Sequence, residues 1–91
     1  MACRNQQRGE DAVARVKANP KASQANVIYM NLDLGDMESV KSFSQEIINT
    51  YDKVDILLCN AGLTGSLVRT TQKQGFENTL GVNHLGHFLL T

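Results

Sequence analysis

Ninety-one residues allow one small domain with limited capacity to bury surface. Nine basic residues balance nine acidic ones, which removes any electrostatic case for nucleic acid or an anionic membrane as partner. The wholly apolar runs are far too short to span a bilayer, the first residues lack a signal-peptide core, and Cys3 and Cys59 have neither disulfide-framework nor metal-ligand spacing.

In chain order, Met1-Ala2-Cys3 reads as the end of a strand, and Arg4-Asn5 as a turn in which Asn5 can cap a helix. From Gln6 to about Ala18 the pattern is helical, with the small residues Gly9, Ala12, Val13 and Val16 on one side, and Asn19-Pro20 ends it. Residues 26–32, rich in β-branched and aromatic side chains, read as a second strand closed by Asp33-Leu34-Gly35-Asp36. Asp36 can cap the next helix, where Val40, Phe43, Ile47 and Tyr51 recur at helical spacing.

A continuous apolar run, Asp55-Ile56-Leu57-Leu58-Cys59, then leads into Asn60-Ala61-Gly62. Such a run suits a strand buried on both faces, over residues 54–59, as in parallel α/β sheets. In open α/β sheets ligands lie beyond the carboxyl ends of strands, so the small residues ending this one mark a candidate site. A loop to about Lys73 follows, and a last helix from about Gln74 to Thr91 spreads apolar residues widely enough to be buried by more than one neighbour. Both cysteines stand in strand-like contexts and are expected as buried, reduced thiols of an intracellular protein, cytoplasmic or at an intracellular membrane. The alternation of strand and helix predicts a doubly wound parallel α/β sheet.

Four motifs occur in order: Ala-Cys-Arg-Asn before a helix, Asp-Leu after the second strand, Cys-Asn-Ala-Gly after the third, and Gly-Val-Asn-His-Leu-Gly-His-Phe-Leu-Leu-Thr at the end. In these the sequence resembles the short-chain dehydrogenase/reductase family, most of all its retinol dehydrogenase-like branch, over essentially all 91 residues. The resemblance implies a Rossmann-type fold and an NADP(H)-dependent oxidoreductase interconverting an alcohol and a carbonyl compound. The substrate class it suggests is lipophilic, retinoid- or steroid-like.

Chemistry and resemblance meet at each motif. Arg4, after a strand and before a helix, can pair with the 2′-phosphate of NADP, and in the family a basic residue here goes with NADP(H). Asp33 can accept a hydrogen bond from an amino group; the resemblance implies that it and the Leu34 backbone hold the adenine ring. Asn60, Ala61 and Gly62 are implied to approach the cofactor's ribose, with Cys59 standing where the family pattern has a first asparagine.

Asn83 is the catalytic candidate. It lies in a mostly apolar helix between Gly81 and Gly86, and a partly buried asparagine with local backbone distortion, as expected here, can hold a water and a proton path. The resemblance implies the asparagine of an Asn-Ser-Tyr-Lys set. His84 and His87 stand within reach of one another but have no further ligand set, and are read as surface or packing residues. Thr64, Ser66, Thr70 and Thr71 offer hydroxyls with no base placed to activate them.

The family's Gly-rich phosphate loop is not in the sequence, nor is a Tyr-x-x-x-Lys pair: Tyr29 is followed at that distance by Asp33, and Tyr51 by Asp55. The expectation is therefore a partial dinucleotide-binding domain over residues 1–91, an internal section of a longer enzyme. In the 3-2-1-4 strand order the first strand lies between the second and the fourth, so residues 54–59 are expected to have an open edge. The apolar last helix is a candidate surface for self-association. The alternative reading is a non-catalytic cofactor-sensing or interaction protein on the same fold.

Overall fold

A computed structural model describes residues 1–65 and 67–91. Ser66, one of the hydroxyl residues named above, lies outside the described residues. Two compact units divide the chain, Met1–Leu32 and Asp33–Thr91.

The first unit is a short β-α-β element. Strand β1 (Ala2–Cys3) pairs in parallel with β2 (Met30–Asn31), joined by helix α1 (Gln6–Lys17) and a 3₁₀ turn at Pro20–Ala22. Parallel pairing requires such a crossover. Asn5 caps α1, its side chain accepting a hydrogen bond from the Arg8 N–H at 2.9 Å. The small face of the helix packs as expected. Gly9 is buried, and a Cβ there would collide with the ring of Tyr29, whose hydroxyl donates to the Cys3 carbonyl at 3.1 Å. The second strand is shorter than residues 26–32, because only Ala2 and Cys3 face it and a ladder ends where its partner ends.

In the second unit, Asp36 caps α2 (Met37–Thr50), accepting from the Glu38 N–H at 3.1 Å. The inward face of α2 carries Val40, fully buried, and Phe43, and the helix packs on the chain's last helical segment. That segment begins at Asn78 rather than near Gln74. Gly75 turns the chain at φ 84°, and the Glu77 carboxylate takes the N–H groups of Thr79 and Leu80, both at 2.8 Å. A glycine in the left-handed region and a carboxylate on the first free amides start a helix at that point. The helical residues run as α3 (Asn78–Leu80), a π turn (Gly81–Leu85) and α4 (Gly86–Leu90).

Residues 54–59, predicted as a buried strand, form no ladder with any described residue. Ile56 is 85% and Leu58 82% exposed, and Cys59 is exposed as well, which corrects the expectation of a buried thiol. A lone extended segment has no neighbour to take its N–H and C=O groups, so pattern alone cannot make it a strand. Among the described residues no helix is long and apolar enough to cross a membrane.

Candidate functional site

Of the cofactor candidates, Arg4 belongs to the first unit, exposed in the turn between β1 and α1. Asp33, Leu34, Asn60, Ala61, Gly62 and Asn83 belong to the second. Within that unit the last helical segment gathers the others.

The Asp33–Asp36 turn closes on itself first. Asp33 Oδ1 accepts the Gly35 N–H at 2.8 Å, and the Asp33 N–H donates to Ser39 Oγ at 3.0 Å. A carboxylate that accepts from the backbone two residues on holds such a turn rigid. Leu34 is buried, and its carbonyl lies so close to Gly86 that a Cβ on Gly86 would collide with it. Only glycine admits this approach.

The Asn60–Gly62 segment is exposed and leads directly to Leu63, which is held by Asn83. The Leu63 N–H donates to Asn83 Oδ1 at 2.8 Å, and Asn83 Nδ2 donates to the Leu63 carbonyl at 2.9 Å. Both ends of the asparagine amide are thus engaged by the backbone of one residue, as a paired strand would engage it, and Asn83 is exposed rather than partly buried as expected. One helical segment therefore carries two predicted site segments, the Asp33-Leu34 turn at Gly86 and the loop after Asn60-Ala61-Gly62 at Asn83.

Asn83 lies within the π turn, in which the Gly86 N–H reaches Gly81 across five residues. A π turn is rare in regular helix and is frequent at functional sites. A glycine begins it and a glycine follows it, and both are tightly packed: Gly86 on the Leu34 backbone and Gly81 on the amide of Gln72. Gln72 itself was not singled out from the sequence. It is 8% exposed, and its amide nitrogen and oxygen make no hydrogen bond. A buried unpaired amide costs about 1–3 kcal/mol, so its presence against Gly81 is a feature that sequence pattern does not reveal.

The two histidines diverge. His84 lies toward Phe88, ring centroids 6.4 Å apart, whereas His87 Nδ1 is 3.1 Å from the Asn83 carbonyl oxygen. Among the described residues no cluster of metal-ligating side chains occurs.

Charge is organised at one further place. Lys73 Nζ donates to Asp36 Oδ2 at 2.9 Å and Gln74 Nε2 to Asp36 Oδ1 at 3.2 Å, tying the loop to the start of α2. The Lys73 hydrogen bond, with Gln74 next, holds the Asp36 carboxyl below the ordinary carboxylate range, and the same contact raises Lys73. The Thr79 and then the Leu80 N–H lower Glu77 likewise.

Within the second unit, a carboxylate on a rigid turn can accept from an amino group, and the exposed small-residue backbone at Asn60–Gly62 admits close approach of another group.

The family model for short chain dehydrogenases matches residues 1–91. Over 91 residues the chain is 42% identical to Retinol dehydrogenase 12 of Mus musculus, covering all of this chain and 28% of that protein. It is 40% identical to Retinol dehydrogenase 13 of Homo sapiens, covering 27% of it, and 42% identical over 90 residues to a WW domain-containing oxidoreductase of Gallus gallus, covering 21%. A crystal structure of an uncharacterized protein from Mycobacterium Paratuberculosis superposes with TM-score 0.77 at 36% identity, over all of this chain and 30% of that one. The chain thus spans between about a fifth and three tenths of the length of these curated relatives.

Proposed function

Because the chain belongs to the short-chain dehydrogenase family, we propose that it is part of an NADP(H)-dependent oxidoreductase that interconverts an alcohol and a carbonyl compound. Residues 1–91 are then a partial dinucleotide-binding domain, and the full-length enzyme supplies the Gly-rich loop and the Tyr-x-x-x-Lys pair. The single observation that carries the reading is the double hydrogen bond between Asn83 and Leu63, set in a π turn beside Gly62. It fixes a polar helix residue to the loop where a cofactor's sugar would lie.

When bound, the nicotinamide supplies or takes the hydride. Arg4 would hold the 2′-phosphate, Asp33 and the Leu34 backbone the adenine, and the Asn60–Gly62 backbone the ribose. Asn83 acts through its main chain. Its amide is held by Leu63, and its carbonyl, beside the His87 ring, is the group that would hold a water on a proton path. The relatives named as retinol dehydrogenases support a lipophilic alcohol, retinoid- or steroid-like, as the substrate class. The test is turnover by the full-length protein: NADP(H)-linked oxidation or reduction of such substrates is expected. Cofactor binding without turnover of any alcohol or carbonyl would instead favour the cofactor-sensing alternative.

A further inference from the structure

From the geometry at the π turn we infer that His87 is a positioning residue for the proton path, through the Asn83 carbonyl; this rests on the function proposed above. His87 Nδ1 lies 3.1 Å from that oxygen, and only a protonated Nδ1 can donate to it. The contact therefore requires the tautomer, or the charged ring, that carries hydrogen on Nδ1.

The location gives the contact its meaning. The five-residue bond from Gly86 to Gly81 shifts the ladder register where Asn83 sits. A side-chain donor one turn on fixes the direction of the Asn83 carbonyl. A carbonyl oxygen accepts over a broad range of directions, so the His87 donor, reaching it from the following turn, sets the side from which a water approaches. Asn83 is then held at both ends: its amide by the Leu63 backbone, its carbonyl by the His87 ring. His87 is half-buried on the side of the helix that reaches back toward Asn83, whereas His84 turns to Phe88 and takes no part. A group with no contact to substrate would thus orient the one carbonyl on which a water is expected to sit.

The experiment uses the full-length enzyme and two substitutions. His87→Phe keeps the ring's bulk and removes the donor, whereas His87→Asn places an amide N–H near the position of Nδ1. His87→Phe is expected to lower kcat about 10-fold with KM for alcohol and cofactor within about two-fold, the loss of one orienting hydrogen bond felt in the transition state. His87→Asn is expected to restore most of kcat. Nitrogen-15 shifts of the His87 ring at a pH where it is neutral are expected to show the hydrogen on Nδ1. The inference is overturned if His87→Phe turns over normally, if the loss lies in KM, if His87→Asn is as impaired as His87→Phe, or if the hydrogen is on Nε2. Should either variant fail to fold, the tautomer of the wild-type ring decides. A wild-type enzyme that binds cofactor but never turns over defeats the proposed function itself; a normal wild type beside an indifferent His87→Phe defeats only this inference.

Discussion

The side-chain amide of Asn83 and the backbone N–H and C=O of Leu63 exchange two hydrogen bonds, at 2.8 and 2.9 Å, across twenty positions of sequence. A side chain here does what a neighbouring strand would do for the loop. Each such bond contributes about 0.5–1.5 kcal/mol net, and its direction matters more than its strength, because it fixes where the backbone after Gly62 runs. Asn83→Leu in the full-length enzyme removes both bonds and keeps the carbonyl. Misplaced loops cost catalysis steeply, so kcat is expected to fall about 100-fold while the helix persists. Steady-state kinetics with circular dichroism checks this; unchanged kcat would remove Asn83 from the site.

Cofactor choice is expected to follow Arg4. Arg4→Asp removes a charge-assisted pair, worth about 1.5–3 kcal/mol, and adds repulsion toward a 2′-phosphate. Binding titrations of the full-length protein should show NADP(H) weakened far more than NAD(H). Equal losses for both would sink the assignment.

The glycines that bound the π turn should differ in their tolerance. A Cβ at Gly86 meets the Leu34 main chain, which cannot rotate away, whereas at Gly81 it meets the end of a Gln72 side chain. Overpacking of a well-packed contact costs about 1–3 kcal/mol, so Gly86→Ala is expected at the upper end and Gly81→Ala below it. Gly86→Ala should also weaken cofactor binding, because the Asp33-Leu34 turn must move. Denaturant unfolding and titration of the two variants measure this; equal effects would show that the main-chain contact is not the rigid one.

The tie between Asp36 and Lys73 predicts a pH window. Asp36 is lowered on folding, so its contribution is present above the ordinary carboxylate range and disappears as pH falls through the depressed value. Lys73 is raised, so its part is complete below its ordinary value of 10.5 and is lost as pH rises through the elevated one. Hydrogen-exchange protection of the first turn of α2 and of residues 72–75, taken relative to the intrinsic exchange rate at each pH, should be greatest between those limits and fall at acid pH. Lys73→Met should abolish most of the acid-side change; an unaltered profile would show that the pair does not hold the loop.

Expressed alone, the 91-residue chain is expected neither to turn over substrate nor to bind NADP(H) tightly. Backbone amides of a Gly-rich loop at a helix N-terminus are what hold a diphosphate, and the chain has no such loop. With Ile56, Leu58 and Phe88 mostly exposed, a loosely packed or associating state should follow, visible as dye binding and a broad melt. Micromolar NADPH binding by calorimetry, or a sharp two-state melt of a monomer, would contradict this.

What the sequence by itself determined is local. Asn5 and Asp36 cap α1 and α2 because an asparagine or aspartate followed by an amphipathic run satisfies orphan amides within a few residues. The small face of α1 and the inward face of α2 at Val40 and Phe43 were legible for the same reason, since helical periodicity is written in consecutive residues. The asparagine between two glycines in an apolar helix likewise announced a distortion, which the π turn realises. Other features depended on partners distant in sequence. The run at residues 54–59 has a strand's pattern but pairs with no strand among the described residues, so only the folded chain decided its state. The unpaired Gln72 amide over Gly81, the Leu34 carbonyl against Gly86, and the grip of Asn83 on Leu63 are contacts of this second kind. No local propensity encodes them, because each is set by where the last helical segment packs, and packing is a property of surfaces that meet only in three dimensions.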